Sequence, residues 1–142
     1  MNMGTRVLVV EDDEVIRNLV VDVLSNEGYA VAQAANGLAA LREVTRQTFD
    51  AIVLDLMMPV MDGRAFLRAY AAEFPKRLIP TVLVSASPTL WQTAEQLRRF
   101  GVCGFVAKPF DLNVLTAAVS RVVDPRERLD HSRGTQLIEL GV

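Results

Sequence analysis

Four polar signals punctuate the apolar runs of this chain. Glu11, Asp12 and Asp13 follow the run Arg6 to Val10, Asp55 follows Ala51 to Leu54, Ser85 follows Thr81 to Val84, and Lys108-Pro109 follows Gly104 to Ala107. Carboxylates offer hard oxygen donors, a serine hydroxyl can donate one hydrogen bond, and a lysine ammonium is a compact charge on a flexible stem. That set suits a divalent cation beside a phosphoryl group. Mg²⁺ takes about six oxygens, keeps several waters, and is usually bound through one or two carboxylates plus phosphate oxygens. A carboxylate can also attack phosphorus and form an acyl phosphate, provided that metal and cation neutralise the incoming charge. Asp55 can be such a nucleophile, with Mg²⁺ and Lys108 supplying the positive charge.

These residues can act together only if the fold gathers them. Apolar runs recur at Arg6 to Val10, Ala30 to Ala34, Ala51 to Leu54, Thr81 to Val84 and Gly104 to Ala107, and longer helix-period segments lie between them. In the first such segment, Val15, Ile16, Leu19, Val20, Val23 and Leu24 form one stripe, and Gly28 supplies a permissive stop. Asp13 reads as its cap. In the last, Leu112, Leu115, Val119 and Val122 follow the candidate cap Asp111, and the helix should end at Asp124-Pro125. The middle helices are expected at Leu38 to Gln47, Arg64 to Ala72 and Pro88 to Phe100.

Strands alternating with helices require right-handed crossovers, hence a mainly parallel sheet covered on both faces. The expectation is an α/β fold, a single doubly wound five-stranded parallel sheet of flavodoxin-like order 2-1-3-4-5. That order is taken from the class and not worked out from these residues. Ligands of such sheets bind beyond the carboxyl ends of the strands, where strand order reverses, here between the first and third strands. Glu11, Asp12 and Asp55 should therefore meet, with Ser85 and Lys108 arriving from the other side.

Val9-Val10-Glu11-Asp12-Asp13, Leu54-Asp55-Leu56-Met57-Met58-Pro59, Met61-Asp62-Gly63, Ser85-Ala86 and Lys108-Pro109-Phe110 together resemble the response-regulator receiver family of two-component signalling, over residues 5 to 123. The resemblance implies a phosphorylation-dependent switch that takes a phosphoryl group onto Asp55 from a histidine kinase or phosphotransfer protein. It implies Mg²⁺ held directly by Asp12, Asp55 and the backbone carbonyl of Met57, with Glu11 acting through water. It makes Lys108 the phosphoryl-binding cation, Ser85 the switch hydroxyl and Phe105 the switch aromatic, and it implies a cis Lys108-Pro109 bond. Partner binding should then change through the 85 to 108 region. The surface of the fourth helix, fifth strand and fifth helix, Trp91 included, is the expected contact for a downstream target or a homodimer.

Two other readings compete with this one. An aspartate-nucleophile phosphatase of the haloacid dehalogenase kind also uses Mg²⁺ and a strand-end acid, but it needs a second Asp two positions on as general acid. That position is Met57, and Asp55 lies on the third strand, not the first. A scaffold that binds partners without phosphorylation would be favoured by missing acids or lysine, and all are present. The chain is thus read as no enzyme beyond its own phosphoryl transfer and slow dephosphorylation.

Composition limits the remaining classes. With 142 residues, 51% of them hydrophobic, the chain can fill one core. A net charge of −2 gives no bulk attraction for nucleic acid, and no apolar run approaches the roughly 20 residues of a membrane helix. Cys103 has no cysteine to pair with and reads as packing, in keeping with a cytoplasmic setting. Residues 124–142 are expected to be a partly ordered C-terminal extension without an output domain, giving a stand-alone regulator. His131 in that tail has no nearby histidine or cysteine with which to bind metal, and Met57, Met58 and Met61 read as packing residues.

Overall fold

Four of the five α-helices start where a short polar side chain closes the first turn. Asp13 accepts from the Ile16 N–H before α1 (Glu14–Asn26), and Asn36 accepts from the Ala39 N–H before α2 (Gly37–Arg46). Asp62 accepts from the Ala65 N–H before α3 (Gly63–Glu73), and Asp111 from the Asn113 N–H before α5 (Leu112–Val123). Each bond satisfies an amide that the helix leaves orphaned. The computed structural model describes residues 4–124 and 138–139.

The fourth helix differs from its expected span of Pro88 to Phe100. Ser87 accepts from the Thr89 N–H through its hydroxyl and from the Leu90 N–H through its carbonyl, so Pro88 sits in a turn and α4 starts later (Leu90–Gln96). A separate 3₁₀ turn, Arg98–Phe100, follows and ends at Gly101, whose φ of 105° favours glycine.

The strands β1 (Arg6–Val10), β2 (Ala30–Ala34), β3 (Ala51–Asp55), β4 (Thr81–Ser85) and β5 (Val102–Ala107) pair in parallel in the expected order 2-1-3-4-5. A short sixth strand, β6 (Ile138–Glu139), lies parallel on the outer edge of β5, with Gly104 opposite Ile138. The reading of the tail as partly ordered otherwise falls, with His131, outside the described residues. The β4–β5 register skips Cys103, a local bulge in which the thiol packs against the α1 and α5 side of the sheet.

Alternation along the strands divides the core in two, because successive side chains leave opposite faces. Leu8, Val10, Ile52, Leu54, Leu83 and Phe105 face α2, α3 and α4, whereas Val7, Val9, Val53, Val82, Val84 and Val106 face α1 and α5. Burying each of these side chains contributes about 1.5–3 kcal/mol. The packing fixes β1 beside β3 and so fixes which strand ends meet.

Candidate functional site

At the carboxyl ends of β1 and β3, Glu11 and Asp55 are only 5% and 4% exposed, while Asp12 faces solvent. One carboxylate oxygen from each of the three lies within 4.8 Å of the others. Lys108 closes the group from the end of β5: its Nζ is 2.6 Å from Glu11 Oε1 and 3.2 Å from Asp55 Oδ2. Burial pulls the Lys108 ammonium toward lower pKa, but the hydrogen bond to Glu11 and the charges of Asp55 and Glu11 outweigh it, and the net direction is upward. The lysine is therefore charged at neutral pH. Three carboxylates against one ammonium leave a local formal charge of −2 (−3 + 1), which suits a divalent cation.

The loop after β3 holds the nucleophile candidate from below. The Met57 N–H donates to Asp55 Oδ1 at 3.2 Å, and the Gly63 N–H donates to the Leu56 carbonyl at 3.0 Å. A Cβ on Gly63 would stand 2.7 Å from the Asp55 carbonyl oxygen, so only glycine lets α3 start this close to β3. Gly37 likewise meets the loop from α2, and its N–H donates to the Met61 carbonyl at 2.8 Å. The Met57 side chain is 73% exposed, in contrast to Met58 and Met61, which pack against the core.

Ser85 and Phe105 complete the expected set, both buried. Ser85 Oγ accepts from the Ser87 N–H at 3.1 Å, and the Ser85 carbonyl accepts from the Lys108 N–H at 2.9 Å, tying the two strand ends together. Phe105 points into the α2–α3–α4 half of the core, a direction that the sequence of β5 left open. The Lys108-Pro109 peptide is cis, and Asp13 serves as the cap of α1, apart from the acid group. Trp91, on the first turn of α4, is 52% exposed.

Two contributors escaped the sequence reading. Arg17 donates to the Glu11 carbonyl at 3.0 Å and to Gln33 Oε1 at 3.0 Å, fixing the β1–α1 junction against β2. Its position on the polar side of α1 carried no motif. Val60 has φ 71°, and the Met61 N–H donates to the Pro59 carbonyl across it at 2.8 Å, a γ-turn in the loop that carries Asp55. A β-branched residue there is strained by about 1–3 kcal/mol, and valine gives no hint of it.

Comparison with known proteins agrees with this geometry. The family profile of the response regulator receiver domain matches residues 7–120. The chain is 34% identical over 119 residues to sporulation initiation phosphotransferase F of Bacillus subtilis, covering 84% of this chain and 94% of that protein. It is 30% identical over 130 residues to a putative NtrX-like response regulator of Rickettsia bellii, covering 87% of this chain but 27% of the relative, so it spans about a quarter of that longer protein. Among solved structures, chemotaxis response regulator CheY4 of Vibrio cholerae superposes with a TM-score of 0.74 at 30% identity, covering 85% of this chain and 99% of the other. The receiver domain of NtrX from Brucella abortus gives 0.74 at 29% identity, covering 84% and 98%. The chain belongs to the response regulator receiver family of two-component signalling.

Proposed function

We propose that Asp55 is the phosphoacceptor of this receiver domain, and that Mg²⁺ is held by Asp12, Asp55 and the Met57 backbone carbonyl, with Glu11 acting through water. The observation that carries this reading is the convergence of two buried acids and one exposed acid on a lysine that bridges the buried pair. When bound, Mg²⁺ would neutralise charge on the phosphoryl oxygens. The chain's own residues do the rest. The Met57 N–H and Lys108 orient the Asp55 carboxylate, one oxygen each. As the P–N bond of a donor phosphohistidine breaks, a P–O bond forms at Asp55, the imidazole leaves, and Lys108 follows the new charge.

The donor is a histidine kinase or phosphotransfer protein. An apolar pocket of about 520 Å³ beside Lys108, lined by Ile16, Leu19, Val20, Pro109, Phe110 and Leu112, supports docking of an apolar helix within reach of Asp55. The new phosphoryl group carries about −1.5 to −2 charge and strong acceptor oxygens. Ser85 and Lys108 are drawn toward it, and Phe105 and residues 85 to 108 rearrange. The surface of α4, β5 and α5, with Trp91, then binds the downstream target or a second copy. The switch occupies residues 5–123, with 124–142 as an extension, and works in the cytoplasm without nucleic acid or membrane contact through this chain. Among the described residues, no helix is long and apolar enough to cross a membrane. It catalyses nothing beyond its own phosphoryl transfer and slow loss.

Intact-mass measurement tests the proposal. With Mg²⁺ and acetyl phosphate the protein should gain one phosphoryl group, and Asp55→Asn should gain none. The same increment in the Asp55→Asn protein would rule out Asp55 as the acceptor.

A further inference from the structure

Between α3 and the α4–3₁₀ segment lies a second pocket, of about 360 Å³, lined by Arg64, Arg68, Gln96, Leu97, Arg99 and Phe100. Three arginines line it, in a chain whose net charge is −2. Arg46 pairs with Glu43 on α2, and Arg98, next to the pocket on the 3₁₀ turn, pairs with Glu95. Among the described residues, no carboxylate forms an ion pair with Arg64, Arg68 or Arg99. Arg64 donates to Thr93 Oγ1 at 3.0 Å, and Arg99 stacks 4.8 Å above the Phe100 ring. Arg64 and Arg68 stand four positions apart on α3, a like-charged spacing that destabilises a helix unless an anion sits between them. From these contacts we infer that the pocket is a binding site for a small organic phosphate of nucleotide size.

The chemistry favours this class. Guanidiniums bind phosphate oxygens through paired, charge-assisted hydrogen bonds, and Arg64, Arg68 and Arg99 surround one cavity from two elements. The volume falls in the range of about 300–1,000 Å³ typical of small-molecule sites and exceeds what a bare phosphate fills. Phe100 and Leu97 supply the apolar lining, and Arg99, which stacks on the Phe100 ring, would swing onto the phosphates as a planar base takes its place there. Because Arg64 also grips Thr93 on α4, the site spans the helix that the phosphoryl switch is expected to move.

Calorimetric titration of the full chain with ADP, in the presence of a chelator, tests the inference. Without metal the Glu11–Asp12–Asp55 group repels anions, so binding there does not contribute. ADP should bind with Kd below about 1 mM. The Arg68→Gln/Arg99→Gln double variant alters exposed side chains, so it should keep the parent's circular dichroism and thermal melt. It should bind ADP at least about tenfold more weakly, because each substitution removes a guanidinium that can donate charge-assisted hydrogen bonds to phosphate. Inorganic phosphate should bind at least about tenfold more weakly than ADP, because it leaves the Phe100 wall uncovered. Absence of ADP binding to about 1 mM, equal ADP binding by the double variant, or equal affinity for ADP and inorganic phosphate would each overturn the inference.

Discussion

Replacing Lys108 by methionine keeps the length of the side chain and removes its charge, so it isolates what the ammonium does for the acid group. The ammonium lies 2.6 Å from Glu11 and 3.2 Å from Asp55, and its own side chain is 19% exposed against 6% and 5% for the two acids. Deleting one partner of a buried ion pair typically destabilises by about 3–5 kcal/mol, because the remaining charge stays buried and uncompensated. Here Asp12 opens the site to water on one side, and the lysine reaches solvent, which screens the pair and lowers the loss below that range, to about 2–3 kcal/mol. With about 2–8 °C per kcal/mol across domains of this size range, the melting temperature should fall by about 5–15 °C in chelator. Mg²⁺ then takes over the compensation that the ammonium gave, and no ammonium competes with it. The metal-induced stabilisation should thus be larger in Lys108→Met than in the parent, by about 1.4 kcal/mol for each tenfold gain in Mg²⁺ affinity, and the rise in melting temperature larger with it. Thermal melts by circular dichroism, with chelator and with excess Mg²⁺, measure both quantities. Equal melting of variant and parent in chelator, or an equal Mg²⁺ increment, would show that Lys108 does not compensate the acids.

Gly63→Ala should lower the urea midpoint, with a loss of about 1–3 kcal/mol, because the added carbon would stand 2.7 Å from the Asp55 carbonyl and 3.1 Å from the Leu56 Cα, backbone atoms that cannot swing away; a parent-like midpoint would mean that α3 starts with room to spare. Met57→Asn should shorten the phosphoryl lifetime by about tenfold, since an exposed thioether is a poor acceptor for an attacking water and an amide is a better one, and label loss without kinase in excess Mg²⁺ measures it. Unchanged decay would remove Met57 from control of water access. Burial raises the Tyr70 pKa against the opposing charge of Arg77, and its hydroxyl donates to the Arg77 carbonyl. Stability from the neutral phenol is thus full below the ordinary tyrosine pKa of about 10 and is lost as pH rises through the folded value. Urea unfolding across that range should therefore show a shallower alkaline decline in Tyr70→Phe than in the parent, with Tyr29, also raised by burial, accounting for part of what remains. Equal slopes would exclude Tyr70 as a contributor.

The acid group was legible in the sequence because its members sit at fixed places in a repeating grammar. Four of the five apolar runs end in a residue of marked chemistry, and a doubly wound sheet lines up all strand ends on one edge, so Glu11, Asp55, Ser85 and Lys108 needed no tertiary detail to be grouped. The caps Asp13 and Asp111 were legible for a similar reason: each acts within two or three residues of itself. The direction of the Phe105 ring was not, because period-two alternation divides a strand into two faces without saying which helix layer each face meets. The start of α4 was misplaced because Pro88 suits both a first helical turn and the Ser87 turn that it occupies.

What the sequence hid depends on long-range closeness and not on residue type. Val60 adopts φ 71° because the loop between Asp55 and Gly63 is anchored at both ends, by the Met57 N–H to Asp55 and the Gly63 N–H to Leu56, and is held in the middle by Gly37 on α2. A chain so tethered must reverse within few residues, and the strain falls on the residue with no tether of its own. The same reasoning applies to the arginine pocket. Arg64 and Arg68 are ordinary surface residues of α3 until the 3₁₀ turn brings Arg99 and Phe100 across from them, and that turn exists because α4 stops at Gln96. A site built from strand ends can therefore be read along the chain, whereas a site built where two helices approach becomes visible only once their boundaries are known.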